Sequence, residues 1–128
     1  MKIIHNPEQT QKPKTYHHGI EVVGNRRTLY IAGQIGMAED GSIPDGIEAQ
    51  TRAVFANLTN ILKEANMQIS DLVKSTVYLI NPEDRVVFNA IREELSLGNK
   101  NASTLVFVSA LALPLLLVEI DGIAVSDM

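Results

Sequence analysis

The stretch that decides the fold is KNASTLVFVSALALPLLLVEIDGIAV, residues 100–125. Two segments of it are rich in aliphatic and β-branched side chains, a composition that is typical of strands. They lie at 103–111 and 115–125, on either side of Pro114, a residue that interrupts the hydrogen bonds of a strand ladder. The sequence therefore predicts that the chain ends in two strands.

Both predicted strands carry apolar side chains on both faces. Successive strand residues point to opposite sides. The first strand therefore has Leu105, Phe107 and Leu111 on one face and Val106, Val108 and Ala110 on the other. In the last strand the apolar residues that lie on both faces are Leu115, Leu116, Leu117, Val118 and Ile120. A layer of helices covers only one face of such a sheet. An apolar second face predicts contact with further copies of the chain.

Upstream of this stretch, the sequence predicts strands at 15–23, 27–36 and 71–80. The first two are separated by Gly24–Asn25, a typical turn pair, so we expect them to form a hairpin. Residues 1–14 carry two prolines and many polar groups, and we expect an extended N-terminal arm.

Helical spacing of apolar residues predicts two helices. The first spans 47–66, capped by Asp45, with an inner stripe of Val54, Leu58, Ile61, Leu62 and Ala65. The second begins at Pro82, which suits the first position of a helix, and runs to about 97 with an inner face of Val86, Val87, Ala90, Ile91 and Leu95. The order ββ-α-β-α-ββ predicts one α+β domain over residues 1–128, with both helices on one face of a mixed β-sheet.

The composition excludes several classes of function. The net charge is −4 and aromatic residues make up 5%, so we expect no nucleic-acid partner. Cysteine is absent, which excludes disulfides and thiolate chemistry and suits a cytoplasmic location. The first residues lack a signal-peptide pattern, and no apolar stretch reaches the roughly 18 residues of a membrane span, so we expect no membrane partner.

Glu119 is the strongest candidate for chemistry. It lies in the middle of the most apolar predicted strand, where a carboxylate must be hydrogen-bonded, paired or partly protonated. Two interpretations stay open: a general acid or base that holds a water molecule, or a strand carboxylate that reaches the rim or pairs with a neighbouring subunit. Asp121 shares its face, but we expect it nearer the strand end, in solvent.

Four other residues are weaker candidates. Tyr16 and His18 share a strand face, whereas His17 and His18 point apart, so we expect no metal site. Gly33 in AGQIG allows close approach to its backbone N–H or marks a bulge. Asn89 lies on the second helix, and Ser103 lacks the histidine–acid relay of a serine hydrolase.

Five segments in order resemble the RidA/YjgF family, also called the L-PSP family. They are LYIAGQIG (29–36), DGIEAQTRAVFANLTNILKEA (45–65), DLVKSTVYLINPED (71–84), FNAIREE (88–94) and LVEIDGIAV (117–125). The resemblance implies a chorismate-mutase-like, or ferredoxin-like, α+β fold. It also implies a homotrimer with a small-molecule cleft between each pair of subunits.

The same resemblance implies an activity. Deaminating members hydrolyse reactive enamines and imines to a keto acid and ammonia without a metal or cofactor. In this sequence the matching positions are Tyr16 in the cleft lining, the Gly33 N–H facing the ligand, Asn89 near the site, and Glu119 positioning water.

One departure from the family pattern concerns the substrate. In KNAST, Ser103 stands where deaminating members carry an arginine that grips the substrate carboxylate, and Ala32 replaces a family serine. The chain is thus similar to a branch that lacks this arginine, and a hydroxyl does not replace a bidentate guanidinium. We therefore expect a neutral or weakly polar substrate, unless Lys100, His17 or Arg26 of a neighbouring subunit supplies the cation.

Two other functions remain as alternatives. One is a non-catalytic, metabolite-binding or chaperone-like trimer, which would bind its ligand without turnover. The other is an endoribonuclease, an activity attributed to some L-PSP members; the acidic charge and scarce aromatics disfavour it.

Overall fold

The computed structural model describes all 128 residues. Its strands are β1 (Lys2–His5), β2 (Gly19–Val22), β3 (Arg26–Ile35), β4 (Leu72–Leu79), β5 (Ala102–Phe107) and β6 (Val118–Asp127). The helices are α1 (Ile47–Glu64) and α2 (Arg85–Leu95), with short 3₁₀ turns at Ile69–Asp71 and Pro82–Asp84. No helix is long and apolar enough to cross a membrane.

The main sheet has the strand order β3-β6-β4-β5. β6 pairs antiparallel with β3 and β4, whereas β4 and β5 are parallel and are joined through α2. Such a parallel pair needs a crossover connection, and a helix usually supplies it. Both helices pack on one face, over a core that includes Val54, Leu58, Phe88, Val118 and Ile120. The predicted α+β fold with a mixed sheet is confirmed, and the other sheet face is termed the open face below.

The predicted hairpin of the first two strands is wrong. β2 pairs with β1 in a separate two-stranded sheet, and β3 pairs with β6. The first part of the predicted arm is therefore a strand, so the chain carries one strand more than predicted. The turn pair Gly24–Asn25 does connect β2 to β3, but the hydrogen-bonding edge of β2 is taken by Lys2–His5.

The two helices form where predicted, with corrections at their starts. Gly46 rather than Asp45 caps α1, at a φ of 88° that favours glycine, and no side chain caps the helix. The inner face of α2 is carried by Phe88 and Ile91, while Val86 is 77% exposed. The reason is that Pro82 opens a 3₁₀ turn, so the α-helix itself starts only at Arg85.

The two C-terminal strands are shorter or later than predicted, which changes the open face. Residues 108–117 form a connection in which Leu116 is buried and Leu115 is exposed. The register therefore places mostly polar side chains on the open face: Lys74, Thr76, Tyr78, Thr104, Glu119 and Asp121, beside Tyr30, Val106 and Ile123. The predicted apolar second face is wrong, because the leucine run is not strand.

A buried amide fixes where β6 begins. The side chain of Gln50, only 2% exposed, donates from Nε2 to the carbonyls of Pro44 and Leu115 at 3.1 and 2.9 Å. Its Oε1 accepts from the Leu117 N–H at 2.8 Å. Two of these bonds hold the backbone of Leu115 and Leu117 just before β6, which begins at Val118.

We predict that Gln50→Met lowers the free energy of unfolding by about 2–4 kcal/mol, because three backbone groups lose their partners in a buried place. Denaturant unfolding measures the change. Gln9→Met, in an exposed turn, is the matched control and should change stability by less than about 0.5 kcal/mol. Equal stabilities of the two variants would contradict the role of Gln50.

Candidate functional site

The structure divides the predicted site residues between the two faces of the main sheet. The face of each residue follows from its partner on β4. Tyr78 of β4 pairs with Glu119 on β6, and Ser75 of β4 pairs with Ser103 on β5. Ser75 and Tyr78 are three residues apart on one strand, so their side chains point to opposite faces. Glu119 therefore lies on the open face, whereas Ser103 lies on the helix side at the sheet edge.

On the open face, Glu119 lies directly against Gly33. β3 contains a bulge between Ile31 and Gln34, where two residues oppose a single residue of β6. A Cβ built on Gly33 would collide with Oε2 of Glu119 and would lie 2.8 Å from its Cδ. Only glycine leaves room for this carboxylate, so Gly33 and Glu119, which the sequence marked as separate candidates, are neighbours on the open face of one chain.

Tyr78 and Asp121 lie beside this pair on the open face. The hydroxyl of Tyr78 donates to Oδ2 of Asp121 at 3.1 Å. This hydrogen bond and the charge of Asp121, with a smaller contribution from Glu119, raise the pKa of Tyr78 above its usual value. The expectation that Asp121 lies near the strand end is wrong, because β6 continues to Asp127.

Two other candidate residues, Asn89 and Ser103, lie around the guanidinium of Arg92, a residue that the sequence analysis did not single out. Arg92 on α2 donates from Nη1 to Oγ of Ser103 at 3.0 Å and from Nη2 to Oδ1 of Asn89 at 2.8 Å. Its Cζ lies 5.2 Å from the ring centroid of Phe88. Thus Asn89 and Ser103, on different elements, meet through one side chain.

An open cleft of about 620 Å³ lies beside this group. Tyr16 lines it together with Asn89, Arg92 and Ser103. Tyr16 belongs to the segment before β2 and not to a strand, and the N–H of the next residue, His17, donates to the Asn101 carbonyl at 2.9 Å. This bond fixes the segment against the start of β5, which places Tyr16 at the cleft.

Arg92 carries a charge without an acidic partner in the chain. The chain's salt bridges join other residues. Burial lowers the pKa of the Arg92 guanidinium, although a guanidinium stays charged in proteins. One feature of the sequence could have indicated the contact between Arg92 and Asn89. Arg92 lies three residues after Asn89, the spacing of neighbours on one face of a helix.

Of the cations considered from the sequence, Arg26 and His17 do not line this cleft, whereas Lys100 lines a separate cavity that Arg92 and Ser103 also reach. Arg26 pairs with Asp127 at 3.1 Å. The ring of His17 lies 3.1 Å from the Asn6 amide, and Nε2 of His18 lies 2.7 Å from the Gln11 carbonyl. No group of three or more histidine or acidic side chains is placed to hold a metal ion.

The chain matches known proteins over most of its length. The Endoribonuclease L-PSP family profile matches residues 9–126. A RutC family protein of Pyrococcus abyssi is 35% identical over 94% of both chains. A 2-iminobutanoate/2-iminopropanoate deaminase of Rattus norvegicus is 35% identical over 77% of this chain and 73% of its own.

A solved structure shares the fold. YyfB of Yersinia pestis, described as a Rid family protein of unknown function, superposes with a TM-score of 0.86. It is 32% identical, and the match covers 96% of this chain and 97% of that chain. The chorismate-mutase-like fold expected from the sequence is confirmed.

We predict that one of the three tyrosines titrates above the ordinary phenol pKa of about 10. This tyrosine should appear as a late step in the titration curve, a late component that Tyr78→Phe removes. Asp121→Asn should move it down, because the bond and charge that hold the proton are weakened. Since the folded-state pKa of Tyr78 is raised, its stabilising contribution is present below the unfolded value and is lost as pH rises through the folded one.

Phenolate absorbance measures this titration. Tyr30→Phe, which removes a tyrosine that is 77% exposed, is the control and should leave the late component in place. A late component that survives in Tyr78→Phe would contradict the assignment.

Proposed function

Because this chain belongs to the Endoribonuclease L-PSP family, also called the RidA/YjgF family, we propose that it hydrolyses a small reactive enamine or imine without a cofactor. We propose further that the reaction takes place in a cleft between two subunits of a homotrimer. The observation that carries the proposal is the apposition of Glu119 and Gly33 on the open face. Relatives named as imine deaminases support the reaction type.

Glu119 is suited to activate water. Its neighbour Asp121 is held by Tyr78, whereas no side-chain bond of the open face holds Glu119, so its carboxylate oxygens are available to a water molecule. The close approach of the Gly33 backbone adds an N–H that can orient a polar ligand atom. A carboxylate beside a backbone donor is the arrangement that hydrolysis of a C=N bond needs.

The proposed reaction balances without an added reagent. Glu119 accepts a proton from water as the water oxygen bonds to the imine carbon, and the nitrogen takes up a proton, which gives a carbinolamine. Glu119 then gives its proton to the amine nitrogen, the C–N bond breaks with release of ammonia, and the hydroxyl proton returns to solvent as the C–O group becomes a carbonyl. An enamine joins this route once protonation at carbon has converted it to the iminium.

A single chain contains two half-sites that do not meet. Gly33 and Glu119 lie on the open face, while Tyr16, Asn89 and Ser103 line the cleft at the β5 edge. If the β5 edge of one subunit abuts the open face of the next, the two half-sites share one ligand. Tyr16, Asn89 and Ser103 then contact the ligand from the side opposite Glu119.

The alternative is a trimer that binds a metabolite without turnover. The same cleft supports it, because binding needs only the polar contacts and not an activated water. It predicts ligand-dependent thermal stabilisation with no product. RNA cleavage is disfavoured, since the open face carries two carboxylates that repel a phosphate backbone.

We predict that the parent protein has the mass of three 14.0 kDa chains, about 42 kDa, by light scattering after gel filtration. Val106→Asp, on the open face, should yield smaller species, because it buries a charge at the subunit contact. Val86→Asp, the same change on the outer side of α2, is the matched control and should keep the parent mass. A 14.0 kDa parent, or an unchanged Val106→Asp variant, would contradict the trimer.

We predict that Glu119→Gln lowers kcat by about 10²–10⁴-fold, the range typical of lost proton transfer. Gly33→Ala should cause a similar loss with little change in melting temperature, because its Cβ displaces only the mobile end of Glu119. Imines are generated from amino acids by an amino-acid oxidase, with semicarbazide trapping what is not hydrolysed.

Gly19→Ala is the control for the glycine substitution. A Cβ there meets nothing closer than 3.8 Å, so activity should equal that of the parent. If Glu119→Gln hydrolyses a panel of imines and enamines as fast as the parent, Glu119 is not catalytic. A parent that binds ligand but releases no ammonia would favour the binding alternative.

A further inference from the structure

Arg92 is a half-buried cation that forms no salt bridge within the chain. Its two hydrogen-bond partners, Asn89 and Ser103, are neutral acceptors. By contrast, Arg26 pairs with Asp127 and Arg52 pairs with Glu94. A charge withdrawn from water is costly unless an opposite charge accompanies it, so the arrangement lacks an anion.

The guanidinium is fixed in orientation rather than free to turn away. It is bonded from its own helix by Asn89 and from β5 by Ser103, while Phe88 lies against it. A guanidinium has five N–H donors in one plane, and these two bonds leave three of them without a partner in the chain. The small side chain of Ser103 leaves space for this approach, which a longer residue on β5 would fill.

The cleft beside Arg92 is positive. Besides Arg92, its lining includes Lys14 and Arg85, neither of which forms a salt bridge within the chain. The lining contains no acidic side chain, although the chain as a whole carries a net charge of −4. Such a concentration of positive charge attracts anionic ligands and raises their local concentration.

We propose that Arg92 is the specificity-determining residue of this cleft and binds a carboxylate of the substrate from helix α2. Asn89 and Ser103 act as positioning residues that hold the guanidinium plane. This inference rests on the proposed function and revises the neutral substrate expected from Ser103. The ligand class is a small molecule with a carboxylate, because the planar fork of arginine pairs bidentately with such a group.

A binding experiment tests the proposal without requiring turnover. Calorimetric titration compares 2-oxobutanoate with 2-oxobutanamide, two probes that differ in the charge of one group, and inorganic phosphate is titrated as a second oxyanion. The parent should bind the acid about 10²-fold more tightly than the amide, the range expected for a charged hydrogen-bonded partner.

Three variants at the site sharpen the test. Arg92→Met should lose about 10²-fold in affinity for the acid and little for the amide, and Arg92→Lys should keep part of the preference. The double variant Arg92→Ser with Ser103→Arg moves the guanidinium across a 3.0 Å contact. It should prefer the acid more than Arg92→Met does, a rescue that a merely structural role of Arg92 does not predict.

Two controls separate this proposal from others. Arg52→Met removes an arginine outside the cleft that pairs with Glu94, and it should leave the preference for the acid unchanged. Glu119→Gln should also keep this preference, so loss of hydrolysis and loss of selectivity are independent failures. Melting temperatures identify any variant that fails to fold, and Arg92→Lys then carries the comparison.

The result that would overturn the proposal is an Arg92→Met protein that still distinguishes 2-oxobutanoate from 2-oxobutanamide as the parent does. A parent that binds both probes equally would overturn it too. If the parent binds phosphate but not 2-oxobutanoate, and Arg92→Met no longer binds phosphate, the assignment of the ligand as a carboxylate is wrong.

Discussion

The alternation of side chains along β6 is the constraint on which the rest of the structure depends. β6 lies between β3 and β4, and it directs Val118 and Ile120 into the core while Glu119 and Asp121 point to the open face. A slip of one residue would bury both carboxylates and expose the core. The Gln50 amide opposes this slip, because it holds the Leu117 N–H in place next to the first residue of β6. Core packing and site chemistry are therefore set by one register.

In the proposed assembly, this register leaves a single chain with two separate halves of a site. The carboxylate that can activate water lies on the open face, and the guanidinium that can hold an anion lies at the cleft beside β5, with β4 between the two strands. Each half carries charge that the other half, or a ligand between them, would balance. In the proposed trimer, assembly is a condition for function, because subunit contact would bring Glu119 of one copy to Arg92 of another.

Sequence patterns predicted what depends on local periodicity. The apolar stripe of α1, the β-branched alternation of β4 and the placement of Glu119 on β6 are such features. Sequence patterns failed where a tertiary contact determines the local structure. β1 pairs with the edge of β2 that a hairpin would have used. Gln50 binds backbone groups of Leu115 and Leu117, in a run whose composition favours a strand. Arg92 was missed for the same reason, since its meeting with Ser103 joins a helix to a strand.

The most direct test of the account is activity at substrate concentrations well below KM in mixed oligomers of two impaired chains, Glu119→Gln and Arg92→Met, co-expressed with different tags and purified through both. In a ring of three, each mixed trimer joins an intact Glu119 half to an intact Arg92 half at one contact. The account predicts about one third of the parent activity per trimer. Activity no higher than that of the separate variants, in trimers shown to contain both chains, would contradict a site shared between subunits.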